Sequence, residues 1–308
     1  MEYCVVGAGA IGGTVGARLA RDGHDVLLCD ADREHVQAIN ERGLRVSGAA
    51  DLVGGLVATS DADELPPCDY GIVATKSMHT GAAIDATARA FARAAVCSVQ
   101  NGAGNEEIIA ERIERVIRGT TFPAGHVVEP GHIAMDTKGD THIGPFEPRP
   151  APLDRVRELA DACTRGGMPT HALDDARGAQ WRKLIFNAAS NAIGALTGFT
   201  HGRISEFEPT RWLAEAVMDE GRRVADAQGI LLDSDPVELF HWAARREIAY
   251  DHKPSMLQDV EAGQPTEIDF LNGAIVSFGE RHGVEAPLNR ALTALVKGIE
   301  ERRRSELR

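Results

Sequence analysis

The opening segment EYCVVGAGAIG, Glu2 to Gly12, constrains this chain more than any other stretch. A short apolar run reads as a buried strand, and G-x-G-x-x-G follows at once as Gly7, Ala8, Gly9, Ala10, Ile11 and Gly12. Gly7 allows a tight turn, Gly9 lets the backbone approach a pyrophosphate, and Gly12 lets the next helix pack closely on the strand. The helix N-terminus then offers amide donors and the positive end of a dipole. Strand before and helix after are what turn a weak motif into a dinucleotide-binding unit. Asp30 closes the second apolar run, DVLLC, eighteen residues after Gly12. An acid there can hydrogen-bond the adenosine ribose 2′-OH and would repel a 2′-phosphate. NAD(H) is therefore favoured; neighbouring Asp32 and Arg33 leave NADP(H) open.

The same alternation continues. Apolar runs at 25–29, 70–75 and 95–99 are separated by helical patterns, with shorter strand-like pieces at 44–47 and 55–59. Such βαβ repetition implies a parallel sheet buried on both faces. Residues 115–146 break into short pieces between Pro-Ala-Gly, Glu-Pro-Gly and Lys-Gly-Asp, which reads as hairpins added to the sheet. A helix over 153–165 and a strand near 168–173 complete this part. Beyond it the patterns are helical, over 176–195, 205–228, 235–249, 266–282 and 287–305. The expected fold is an α/β N-terminal Rossmann-type domain with a mainly parallel sheet, residues 1–173, followed by an all-α C-terminal domain, 174–308. A site in a cleft between the two is the expected arrangement.

A net charge of −13 argues against a nucleic-acid binder, which needs a basic face. No apolar run reaches the ~18 residues of a membrane span, and no leader pattern opens the chain, so a cytoplasmic protein without membrane attachment is expected. Five scattered cysteines without C-x-x-C suggest buried free thiols. The histidines lack metal-ligand spacing, so no metal is expected. A homodimer through the helical half is compatible with the sequence, but no decisive apolar stripe marks it.

Several polar residues stand where chemistry could use them. Lys76 follows the run 70–75, and Asn101-Gly102 follows 95–99, so both belong to the rim where such sheets bind ligands. Lys183, Asn187 and Asn191 are four residues apart, one face of a helix, among Ala188, Ala189 and Ala192. The chain has five lysines among thirty-three basic residues. It uses arginine for generic charge, as at Arg182, so a lysine next door suggests a titratable amine.

Together GAGAIG, ATKSMHT (74–80), VQNGAGN (99–105), WRKLIFNAASN (181–191) and PSMLQDVEAGQPTEIDFLNG (254–273) resemble the ketopantoate reductase (2-dehydropantoate 2-reductase) family nearly end to end. The resemblance implies reduction of a small 2-oxo acid to the 2-hydroxy acid with a nicotinamide cofactor. It makes Lys183 the general acid, with Glu267 beside the reacting centre. It gives Asn187 and Asn191 to substrate binding, Ser255 to the substrate carboxylate, and Lys76 and Asn101 to the nicotinamide end and the substrate. Where relatives often have an asparagine three residues before the serine, this chain has His252, read as a substrate contact. Another substrate-proximal asparagine of the family aligns near His201. Asp30 is a third departure, since many relatives carry a basic residue there and prefer NADPH. Two alternatives stand beside this reading. One is an NAD-dependent dehydrogenase of the same family oxidising a different hydroxy acid. The other is a nicotinamide-sensing protein without catalysis.

Overall fold

The computed structural model describes residues 1–49 and 51–306. They form two compact units: Met1–Gln100 with Asn105–Ala176, and Asn101–Gly104 with Arg177–Arg308.

The first unit carries twelve strands and five α-helices among the described residues. In chain order these are β1 (Glu2–Val6), α1 (Ala10–Arg21), β2 (Asp25–Cys29), α2 (Arg33–Arg42), β3 (Leu44–Gly48), β4 (Leu52–Gly54), β5 (Val57–Thr59), β6 (Tyr70–Val73), α3 (Thr80–Phe91), β7 (Ala95–Ser98), α4 (Asn105–Ala110), β8 (Val116–Thr121), β9 (Gly125–Glu129), β10 (His132–Met135), β11 (Thr141–Pro145), α5 (Leu153–Arg165) and β12 (Thr170–Ala172). The main sheet has the order β12-β11-β8-β7-β6-β1-β2-β5. It is parallel except where β11 runs against β8. Alternation along β1 shows why its apolar run is continuous. Tyr3 and Val5 enter the core on one face, Cys4 and Val6 the core on the other, and all four are buried.

The hairpin segment departs from the expectation. β8 and β11 do extend the main sheet, but β9 and β10 leave it and join β3 and β4 in a second sheet, order β4-β3-β10-β9. The small residues of α1 explain its position. A side chain at Gly16 would meet Leu28 of the main sheet, and one at Gly13 would meet Leu44 and Ile133 of the second. A helix with no bulk on either side can be covered on both.

The second unit is helical: α6 (Arg177–Thr197), α7 (His201–Glu206), α8 (Glu208–Ala227), α9 (Pro236–Ala243), α10 (Ser255–Glu261), α11 (Asn272–Arg281) and α12 (Pro287–Glu306). Helix α6 packs against α8, α9, α10 and α12, and most of its residues are buried. Its alanines follow from that position, since a helix covered on most sides needs small residues for close approach. Trp181, 1% exposed, anchors its start edge-on to Phe278. The pattern read as one helix over 205–228 is two. Pro209 in the first turn of α8 cannot donate to a preceding helical carbonyl, so a new helix begins there. The 235–249 pattern ends early, at Ala243, and the 266–282 pattern is a 3₁₀ turn, Ile268–Phe270, followed by α11.

Candidate active site

In the first unit the glycine loop joins β1 to α1. Gly7 has φ +93°, and a Cβ on Gly12 would lie 1.9 Å from the Gly7 carbonyl oxygen, so loop and helix meet backbone to backbone. At Gly9 the situation is reversed, because a Cβ there would meet nothing within 4 Å. Helix α1 begins at this open position with no side-chain cap and no acid in its first turn. Helix α2, by contrast, is capped by Asp32 and carries Glu34. An uncapped glycine-rich helix start with open space at Gly9 fits a dinucleotide pyrophosphate.

Asp30 is tied to that loop. Its Oδ2 accepts from the Ala8 amide at 2.6 Å and its Oδ1 from the Asp32 amide at 2.9 Å. The acid thus braces the loop at Ala8. Buried His35 helps, bridging the Ala8 carbonyl (3.0 Å) and the Gly131 amide (3.2 Å). Because Gly131 donates to Nδ1, Nε2 is the nitrogen that donates to the Ala8 carbonyl. Lys76 lies in the turn after β6 and is exposed. That turn is held by side chains the sequence reading did not single out. Gln100 Nε2 donates to the Thr75 carbonyl (2.9 Å) and to Thr80 Oγ1 (2.7 Å), and Thr80 Oγ1 donates to Asn105 Oδ1 at 2.8 Å. Polar residues at the C-terminal ends of buried strands were the available signal.

In the second unit Lys183 Nζ donates to Asn101 Oδ1 at 2.7 Å. The loop bearing Asn101 is seated on the turn that follows Glu267. The Ala103 amide donates to the Phe270 carbonyl at 3.0 Å, and a Cβ on Gly102 would lie 2.3 Å from the same oxygen, at φ +85°. Only glycine is accommodated at such an approach with such a backbone. Lys183, Asn101 and Glu267, from three parts of the chain, are thereby brought together. Desolvation lowers the Lys183 amine to about 8, and the negative charge of Glu267 works against that fall. Arg182, one residue earlier, instead pairs with Asp233 at 2.8 Å. The two adjacent cations therefore have separate uses.

Asn187 and Asn191 continue along α6, about 6 and 12 Å from Lys183 by helical rise, and both are buried. Asn191 Oδ1 accepts from Ser255 Oγ (3.0 Å) and from the Met256 amide (2.9 Å), so it fixes the start of α10 and with it Ser255, which is exposed. His201 and His252 lie side by side, ring centroids 5.3 Å apart, and the His201 amide donates to the His252 carbonyl at 3.2 Å. His201 also meets the ring of Phe186, on α6, edge-on. Burial first, then the neighbouring His252, pushes His201 down to about 3, so it is neutral at physiological pH. Its Nδ1 is buried without a hydrogen-bond partner.

Among the described residues no helix is long and apolar enough to cross a membrane, and no three His, Cys, Asp or Glu are grouped to hold a metal ion.

A family model described as ketopantoate reductase PanE/ApbA matches residues 3–148, and the model of that family's C-terminal part matches residues 175–300. The 2-dehydropantoate 2-reductase of Pyrococcus horikoshii is 37% identical, covering 97% of this chain and 98% of its own. That of Archaeoglobus fulgidus is 34% identical, covering 96% and 97%. Among solved structures, the PanE/ApbA family ketopantoate reductase from Ralstonia eutropha JMP134 superposes with TM-score 0.89 at 34% identity, covering 99% of this chain and 100% of that one. D-mandelate dehydrogenase, solved with NADH and anilino(oxo)acetate, superposes with TM-score 0.91 at 26% identity over 99% and 100%.

Proposed function

Since the chain belongs to the ketopantoate reductase family, whose members are nicotinamide-dependent oxidoreductases, we propose that it reduces a small 2-oxo acid, 2-dehydropantoate or an analogue, with Lys183 as general acid. The observation that carries the reading is the Lys183–Asn101 hydrogen bond on an amine that desolvation has brought to about 8. A group of that pKa is largely protonated at neutral pH yet gives up its proton readily.

Gly7 to Gly12 and Asp30 would hold the dinucleotide, with Lys76, Asn101 and Gly102 toward its nicotinamide end. When bound, the nicotinamide supplies the hydride for the carbonyl carbon. The Lys183 ammonium stabilises charge developing on the carbonyl oxygen and delivers a proton to it. Asn101 aims the amine. Glu267 keeps it cationic and orients it. Ser255, steadied by Asn191, takes the carboxylate, and Asn187 and His252 line the remainder of the substrate position. Asp30 favours NADH, because a 2′-phosphate would meet its carboxylate.

A second reading is a 2-hydroxy-acid dehydrogenase of the same family acting on a bulkier substrate. The D-mandelate dehydrogenase likeness supports it, as does the Phe186–His201–His252 ring cluster.

The test is oxidation of NADH and NADPH with ketopantoate and, separately, with the 2-oxo acid of mandelate. Ketopantoate is expected to give the higher kcat/KM, with NADH preferred at least ~10-fold. Lys183→Ala should retain cofactor binding and lose at least ~10²-fold in turnover. Cofactor binding with undiminished turnover in that variant would remove Lys183 from the mechanism. A higher kcat/KM for the aromatic acid would establish the second reading.

A further inference from the structure

Glu267 does not sit on a regular helix. It precedes the 3₁₀ turn Ile268–Phe270, after an exposed stretch from Glu261 to Pro265. Such a turn has no ladder of its own to fix a side chain, yet the mechanism proposed above needs this carboxylate at a set position beside Lys183. Helix α12 grips the turn from outside. The Thr266 amide and the Thr266 hydroxyl both donate to Glu300 Oε1, at 2.8 and 2.7 Å, and Thr266 is itself buried. Lys297, one turn earlier on α12, pairs with Asp269 at 2.7 Å. That second pair is solvent-exposed on both sides and contributes little by itself.

The other end of the turn is held through the core. Asn272 Nδ2 donates at 3.0 Å both to Asn289 Oδ1 on α12 and to the Ala188 carbonyl on α6, the helix that carries Lys183. Asn289 is fixed in turn, its amide and its Nδ2 each donating to Glu220 Oε2 at 2.9 Å. Asn272 and Asn289 are fully buried and Glu220 is 3% exposed. Residues on both sides of Glu267 are thus referenced to α12, and through Asn272 to α6.

We propose that α12 is a positioning element for the reaction, with Glu300, acting through Thr266, setting where the Glu267 carboxylate stands relative to Lys183. The inference rests on the catalytic reading of Glu267. Glu300 is a positioning residue and touches neither substrate nor cofactor. Leu292 and Val296 dock the helix by apolar burial. The Glu300 carboxylate instead converges on the one residue that precedes Glu267.

The experiment is a double-mutant cycle in the full chain, with kcat and KM measured for Glu300→Ala, Glu300→Gln, Glu267→Gln and the double variant Glu267→Gln/Glu300→Ala. Loss of positioning is expected to cost Glu300→Ala roughly 10-fold or more in kcat with the NADH KM within about twofold of wild type. Glu300→Gln, which keeps an acceptor for Thr266, should recover most of that loss. In the Glu267→Gln background, Glu300→Ala should cost nothing further, because the group it positions is gone. Losses that multiply in the double variant would overturn the proposal, as would wild-type kcat in folded Glu300→Ala beside a crippled Glu267→Gln. A Glu267→Gln variant with wild-type turnover would overturn both this inference and the reading beneath it, which separates the two failures. Should Glu300→Ala not fold, Thr266→Val, which retains the amide donor, must show the same kcat loss and the same disappearance of that loss in the Glu267→Gln background.

Discussion

Arg182 and Lys183 are adjacent on α6 and almost identical in formal charge, yet one closes an ion pair with Asp233 and the other donates to Asn101. The distinction was legible in the sequence because lysine is rare in this chain. The lysine's acceptor was legible only as a type of residue at a strand end. A desolvated amine near 8 has a consequence for rate. If Lys183 is the general acid proposed above, reduction requires its protonated form, and kcat/KM for the oxo acid should fall as pH rises through about 8. Oxidation of the hydroxy acid requires the neutral amine and should rise through the same region. Lys183→Arg cannot release its proton in this range, so that variant should lose the titration and about 10²-fold or more in turnover. A pH–rate profile of wild type and variant checks this. An unshifted limb in the variant would assign the titration to another group.

At the level of elements, the βαβ succession was readable because strands buried on both faces must be continuously apolar, as β1, β6 and β7 are. What the hairpin β9–β10 pairs with was not readable. It pairs with β3, and the second sheet so formed lies against α1, where Gly13 leaves room for Leu44 and Ile133. The hold of α12 on the Glu267 turn was equally invisible, since Glu300 looks like any other acid on a charged helix. The glycine loop, in contrast, allows two substitutions with different outcomes. Gly9→Ala meets open space, so the protein should keep its melting temperature within a few degrees and lose about 10-fold or more in cofactor affinity. Gly12→Ala drives a methyl into the Gly7 carbonyl, so stability and binding should fall together. Thermal melts paired with cofactor titrations distinguish the two. Undisturbed binding in Gly9→Ala would remove the pyrophosphate from that loop.

At the level of the whole molecule, the first unit buries its apolar side chains in a core on each face of its main sheet, and the helical unit builds a third around α6. The five cysteines are free thiols buried within the first unit. Burial raises Cys97, pushes Cys29 up to about 11 and pushes Cys163 up to about 12. Cys4 is held below the usual thiol range by its hydrogen bond with Cys68, but all five are buried, so a thiol reagent added to the native protein should react with essentially none of them over minutes, and with all five in denaturant. Rapid native labelling would show that a core opens easily. The threading of the chain matters in another way. Asn101–Gly104 belong with the helical unit although β7 and α4, which flank them, do not, so the polypeptide passes between the units after Gln100, after Gly104 and after Ala176. A gene fragment that begins at Arg177 encodes the lysine without its acceptor. Exchange of C-terminal halves between relatives by recombination would separate partners that a single junction cannot carry together, so a chimaera keeps its chemistry only when the four-residue loop of one parent suits the lysine helix of the other.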